Sequence, residues 1–334
     1  TFMKKRILSL VLALSMMISL FPVSALAQTP GGGTAEMAEE NGENIDAANG
    51  ADVTTIQIDS NGEPVGDDGA KGENWEYDSN LMLKKGTYTF SAPVTCGVII
   101  YDEATVAGGT FENTVWNGSA DANGGTISGG TFADVSNRGI IIGGTFTGDR
   151  GSIINHTKIA GGVFEKNVTN GDSGDEGISA SITGGLFKAK VQNKAASAAI
   201  TGGVFVTIPT GSETIANVYT LTTTGTTSKF LYAADGKEID LGQSVYVIPN
   251  DTDTLKVACD GVSNWDVADG SGVTNGDGVT LKQDGSFTLN PDKISGTTLM
   301  FTVSTTPVTP DPELVLAGGV PDTSEEHAKQ KTVG

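Results

Sequence analysis

The sequence predicts an all-β fold: a single-stranded parallel β-helix, or β-solenoid, followed by a small β-sandwich. Three observations predict it. A six-residue pattern built on Gly-Gly and ending in Phe returns six times between 106 and 205. Longer alternating strands replace it from about Ile215. The composition disfavours helix, with 46 glycines in 334 residues, about twice ordinary usage, and an abundance of Thr, Ser, Asn and Val, which are poor helix formers.

The six copies are Val106-Ala107-Gly108-Gly109-Thr110-Phe111, Ile127-Ser128-Gly129-Gly130-Thr131-Phe132, Ile141-Ile142-Gly143-Gly144-Thr145-Phe146, Ile159-Ala160-Gly161-Gly162-Val163-Phe164, Ile182-Thr183-Gly184-Gly185-Leu186-Phe187 and Ile200-Thr201-Gly202-Gly203-Val204-Phe205. Their phenylalanines lie 21, 14, 18, 23 and 18 residues apart. A short strand-turn-strand unit cannot bury its own apolar face, so the units must stack. Without helices between the copies, the stacked solution is a parallel β-solenoid. Its rungs rise ~4.8 Å each, so six span roughly 25 Å.

Within a copy, the Ile and Phe are five residues apart. On a flat strand that odd spacing puts them on opposite faces. A bend at Gly-Gly turns both inward, because glycine tolerates positive φ and close backbone approach. The sequence therefore predicts a corner at each Gly-Gly, a Phe ladder inside the coil, and a second ladder of Thr110, Thr131, Thr145, Val163, Leu186 and Val204. The variable inserts (113–125, 147–158 and 167–179) are expected to loop out.

The flanking segments complete the organisation. Residues 1–27 read as a signal peptide: a basic start at Lys4-Lys5-Arg6, an uncharged apolar run over 7–20, and a small-x-small cleavage site at Ala25-Leu26-Ala27. The run is short for a membrane span, which needs ~20 residues, so no transmembrane helix is expected after cleavage. Thr1-Phe2 ahead of Met3 suggests a raw reading frame, and hence a fragment. Residues 28–51 read as a disordered acidic linker. The net charge is −20, and 13 of the 40 acidic residues lie between 28 and 80 beside a single Lys. That charge excludes a nucleic-acid binder working through a basic surface.

The parallel β-helix with its N-terminal cap is placed at 52–206. Strands such as Val53-Thr54-Thr55-Ile56, Leu81-Met82-Leu83 and Tyr88-Thr89-Phe90 cap one end, and the chain after 206 caps the other. From 215 to 304, strands around Tyr219, Val245, Leu255, Trp265, Phe287 and Phe301 alternate between Asp-Gly and Pro-Asn turns, as in a β-sandwich. Residues 305–334 are a Pro/Thr linker and polar tail.

The Gly-Gly-x-Phe rungs resemble the right-handed parallel β-helix repeats of secreted Firmicutes surface proteins, in the broad pectin-lyase-like group. The segment from Gly242-Gln243-Ser244-Val245-Tyr246-Val247 through Trp265 to Phe301-Thr302-Val303 is similar to small bacterial immunoglobulin-like modules. Together the resemblances cover roughly 53–304. They imply a secreted or cell-surface protein of a Gram-positive bacterium, adhesin-like or carbohydrate-binding. The fold hosts lyases, adhesins and stalks alike, so activity must be argued from a site. No LPxTG-like stretch occurs in the sequence.

Several residues are weighed for chemistry. Glycoside hydrolysis needs carboxylates at a fixed separation, but Asp102, Asp121, Asp134, Asp149, Asp172 and Asp175 hold no common place relative to Gly-Gly. The basic residues Arg138, Arg150, Lys158, Lys166, Lys188 and Lys190 follow no lyase motif, and His156 is the only rung histidine. No catalytic residue is assigned, and a non-catalytic protein is expected; a β-helix polysaccharide lyase or hydrolase and a pure spacer are the alternatives. No cofactor is expected. Calcium is possible at Asp172, Asp175 and Glu176, although that loop lacks the order of an EF-hand, and Asp251-Thr252-Asp253 is sparser still. Trp75 and Trp265 are expected to fill cores. Trp116 either fills the core or forms a glycan-stacking platform. With Asn117 and Asp121 in the adjoining loop, it is the binding candidate, and an extracellular polysaccharide or a neighbouring cell surface is the expected partner. Cys96 and Cys259 are read as small buried hydrophobes rather than a disulfide.

Overall fold

The computed structural model describes residues 52–303, apart from 67–70, 120–121, 149–152, 173–178, 212–213, 235, 261–264, 270–277 and 295. The signal peptide, acidic linker and C-terminal tail inferred above lie outside the described residues. The described chain is almost entirely β: a solenoid of about 7 turns followed by a β-sandwich.

Each coil contributes one short strand to each of three parallel sheets. The first sheet stacks the β-branched position that opens each repeat: Val106 on Ile127, then Ile141, Ile159, Ile182 and Ile200, all in register. The second stacks Phe111, Phe132, Phe146, Phe164, Phe187 and Phe205. Both rows are buried, so Gly-Gly turns the chain as expected. The phenyl rings stack with centroids 4.5–5.1 Å apart and planes within 14° of parallel. Phe90 closes the N-terminal end of the pile edge-on, 5.0 Å from Phe111. Such aromatic pairs add about 0.5–1.5 kcal/mol each beyond area burial.

The two glycines of a pair do different jobs. The second adopts positive φ in every copy, from +97° at Gly144 to +130° at Gly203. The first lies against the neighbouring coil: a Cβ on Gly143 would sit 2.3 Å from the main-chain oxygen of Ser128.

The third sheet occupies what the sequence suggested were loops. Its strands are 98–100, 115–117, 135–137, 153–155, 168–170, 191–193 and Thr210–Gly211. The inserts 113–125, 147–158 and 167–179 thus loop out only in part, since each carries one strand of this sheet. Five copies share a Val/Ile-x-Asn pattern that closes on Asn117, Asn137, Asn155, Asn170 and Asn193. Their side chains point into the solenoid and are at most 1% exposed. The Nδ2 of each of the first four donates to Oδ1 of the next at 2.7 Å. Spare protons go to the main-chain oxygens of Gly125, Lys158, Ser181 and Ala199. Five amides therefore cross an apolar core with their donors satisfied, as burial requires. Asn117 Oδ1, at the N-terminal end, is buried without a hydrogen bond.

Both ends of the solenoid are covered. The strand Val53–Ile58 lies parallel on 87–90, and Trp75–Asp78 pairs antiparallel with the start of Asn80–Phe90. At the other end the coil continues past 206: Thr210 and Gly211 stack on Gln192 and Asn193, and Ile215 bridges Ile200. Ser244–Ile248 then pairs antiparallel with 203–205, which extends the second sheet into the sandwich. One sandwich sheet contains Tyr219–Thr223, Ser244–Ile248, Thr298–Val303 and Trp265–Asp269. The other contains Lys229–Ala234, Lys237–Gly242, Thr254–Ala258, Ser286–Leu289 and Val279–Leu281. Phe230, Phe287 and Phe301 meet between them.

This docking explains a change within the repeat. The residue before each Phe forms the expected second ladder, and it faces out of the solenoid. Thr110, Thr131 and Thr145 meet solvent, whereas Val163, Leu186 and Val204 are buried in the same core as Tyr219, Leu221 and Phe230. The ladder turns apolar where the sandwich covers it.

Two substitutions separate the roles of glycine. Gly236 has φ +72°, and a Cβ there would meet nothing within 4 Å, so Gly236→Ala costs only the left-handed backbone penalty, about 1–2 kcal/mol. Gly143→Ala must displace a neighbouring coil's carbonyl, and it is expected to cost more in urea denaturation. Asn155→Ala, which strips a partner from Asn137, Asn170 and Ser181, is expected to cost about 2–3 kcal/mol by the same measurement.

Candidate functional site

The outer face of the third sheet follows from strand alternation. Because Val115 and Asn117 point inward, Thr114 and Trp116 must point outward. Trp116 is 38% exposed, whereas Trp75 and Trp265 are buried at 8% and 7%, as the strand patterns predicted. Trp116 therefore stands outside the core, stacked in register between Ile99 and Ser136 on the adjoining coils.

Gly97 sets the position of the indole. A Cβ there would lie 2.7 Å from Trp116 Cζ3 and 2.3 Å from Asn80 Oδ1. With hydrogen in that place, the six-membered ring rests directly on the sheet. Beside it, Thr114 pairs in register with Asp134, and the Thr114 hydroxyl donates to Asp134 Oδ2 at 3.0 Å. The surroundings are thus an aromatic surface packed on the sheet next to a hydrogen-bonded hydroxyl and carboxylate. That arrangement can receive a flat apolar face and its hydroxylated rim.

The other candidates fall elsewhere. Asn117, expected to accompany Trp116, is 0% exposed and serves the buried amide ladder, so its side chain is not a surface contact. Being inward at 117 and outward at 116 is the same alternation. Asp121, Asp175 and Glu176 lie outside the described residues. Asp172 pairs with Lys194 at 2.8 Å. Among the described residues, no group of three or more His, Cys, Asp or Glu side chains could hold a metal ion. His156 is buried at 7% exposure, consistent with a structural place. Cys96 and Cys259 are free thiols packed against the solenoid and sandwich cores respectively; burial pushes the Cys96 thiol up. Among the described residues, no helix is long and apolar enough to cross a membrane.

The turn at Asp251-Thr252-Asp253 joins the solenoid to the sandwich. Both oxygens of Asp253 accept from the Gly185 main-chain N–H, at 3.0 and 3.1 Å. The Tyr232 hydroxyl donates to Oδ1 at 2.7 Å, and Asn250 Nδ2 to Oδ2 at 2.6 Å. Asn250 Oδ1 in turn accepts from the N–H groups of Thr252 and Asp253. This carboxylate is committed to docking the sandwich on a Gly-Gly corner. A shallow depression on the sandwich is lined by Cys259, Trp265 and Asp284. Hydrogen bonds from the Ser286 hydroxyl and N–H hold the Asp284 carboxyl below its ordinary range.

The sequence pattern that leads to the third sheet is Val/Ile-x-Asn. It is visible in the chain, but it lies inside inserts of unequal length and contains no glycine, so the stronger Gly-Gly signal masks it. No protein-family model, curated protein or solved structure matches the chain.

Replacing Asp253 with Ala leaves the Gly185 N–H and the Tyr232 hydroxyl without their acceptor. The variant is expected to lose about 1–3 kcal/mol in chemical denaturation. The stability difference between parent and variant is expected to be the same with and without calcium, since Asp253 already accepts from Gly185, Tyr232 and Asn250.

Proposed function

We propose that this chain is an exported, non-catalytic repeat protein that works at the cell surface or after secretion, with the solenoid's third sheet serving as a glycan-contact face. The observation that carries the reading is Trp116. It is a large aromatic side chain kept outside the core, lying on Gly97 and backed by a sheet whose geometry is fixed by the buried Asn ladder. A rigid aromatic presents contact area with little entropy to lose on binding.

The rest of the sequence supports the same setting. The basic, apolar and small-residue segments of 1–27 are those of a signal peptide. The Gly-Gly-x-Phe coils resemble repeats of secreted Firmicutes proteins, and the sandwich resembles the immunoglobulin-like modules of multi-module surface proteins. Docked on the last coils, the sandwich extends the body that holds the contact face.

Native affinity electrophoresis of the chain from Gln28 onward tests this function. Gels contain xylan, cellulose derivatives, mucin or pectin and are stained for clearing. Retarded migration without clearing is expected in at least one gel. Trp116→Ala is expected to restore free mobility while leaving the protein folded, with a smaller drop in melting temperature than replacing a fully buried core phenylalanine such as Phe132 would cause. Cleared zones would overturn the non-catalytic reading, and unaltered retardation of the variant would remove Trp116 from the site.

A further inference from the structure

Resting on that glycan-contact reading, we infer that the site takes a neutral, β-linked chain of pyranoses with equatorial substituents, laid along the solenoid axis. Two parallel columns of outward side chains define it. Met82, Ile99, Trp116 and Ser136 occupy one position on four successive coils, held in register by the third sheet. Two residues earlier on the same coils stand Asn80, Gly97, Thr114 and Asp134. On these four coils the first column is apolar at three positions and carries a hydroxyl at the fourth; beyond Ser136 it continues in register through Ile154, Thr169 and Gln192. The second is polar, broken only by the glycine on which the indole rests.

A pyranose with equatorial hydroxyls has the same division. Its two faces are C–H surfaces, and its polar groups form the rim. The apolar column supplies the floor for one face, and the polar column faces the rim on one side. An axial hydroxyl leaves only one apolar face, so such a ring fits the column in one orientation alone; turned the other way, its hydroxyl would meet the indole with no hydrogen-bond partner, which is costly once water is excluded. The columns run along the axis because the coils stack along it at ~4.8 Å. That step is close to the length of one pyranose in an extended β-linked chain, so successive rings meet successive coils.

Charge narrows the class. Among the eight column positions the only ionisable side chain is Asp134. On these four coils polyuronates and sulfated glycans would meet that carboxylate with no cation among the eight positions to receive them; the nearest cation along the polar column is Lys190, on a coil beyond them. A carboxylate beside a hydroxyl instead suits the hydroxyl donors of a neutral sugar, through charge-assisted hydrogen bonds.

Isothermal titration of the chain from Gln28 onward distinguishes the outcomes. The probes are cellohexaose and xylohexaose, set against an oligogalacturonate and a β-galactan oligosaccharide. We expect the first two to bind with the same Kd at low and high salt, and the others to bind at least about tenfold more weakly. Asp134→Asn is expected to weaken cellohexaose binding about tenfold. Trp116→Ala is expected to do so by at least as much, and Trp116→Phe to recover part of the loss. Thermal melts establish that each variant is folded; Thr114→Val replaces Asp134→Asn if the latter is not. Preferred binding of oligogalacturonate or galactan through Trp116 would overturn the proposed ligand class and leave the glycan-contact reading standing. An Asp134 variant as tight as the parent would overturn the role of the polar column. Absence of binding to every oligosaccharide here and every polysaccharide in the gels would overturn both.

Discussion

The structure depends on in-register stacking of parallel coils. Each residue of a coil lies ~4.8 Å above its counterpart, so any property of one position is repeated along the whole axis. That constraint rewards identical neighbours. Stacked phenyl rings pack face to face, and stacked asparagines pass hydrogen bonds from one amide to the next. It also penalises bulk at the corners. The first glycine of each pair from Gly129 onward sits against a main-chain oxygen of the coil before it, and the second carries the positive φ that turns the strand. One requirement, repetition without a helix to absorb irregularities, accounts for glycine, phenylalanine and asparagine at their fixed places.

The same constraint makes exceptions informative. Where a column changes character, its surroundings have changed. The ladder before each Phe passes from Thr to Val and Leu at Val163, where the sandwich begins to cover the second sheet. The Asn column ends at Asn193, whose amide donates to Ala198 and to the hydroxyl of Thr214 in the last coil. The outward face of the third sheet holds an exposed tryptophan on one coil and, on the previous coil, a glycine in the adjoining column on which the indole rests. Together they shape the face proposed for glycan contact. Solenoid and sandwich are joined by a continuous sheet edge through Ser244–Ile248 and by the carboxylate of Asp253.

Much of the fold was legible in the chain because the strongest signal was local. Gly-Gly-x-Phe within six residues carries its own corner and its own pair of inward side chains. The Val/Ile-x-Asn strands were equally present but less legible. They lie in inserts whose lengths vary, and an asparagine ordinarily reads as a surface or turn residue. Only a partner amide on the next coil makes its burial favourable. The sandwich strands Lys229–Ala234 and Lys237–Gly242 were hidden for a related reason: the turn between them was evident, while their own alternation is weak.

The sequence by itself determined the architecture: an all-β chain, coiled at glycine pairs, with rows of Ile and Phe inside and a second β module after it. Those features follow from spacing and steric permission within a few residues. The tertiary structure alone decided which neighbours outside the core matter. It turned Asn117 inward and Trp116 outward, because the phase of a strand is set by the sheet it joins. It set Asp134 beside Thr114, from 20 residues away along the chain, and Asp253 against Gly185, from 68. Such pairs leave no local trace, since the distance that governs their chemistry is measured across coils and modules and not along the backbone.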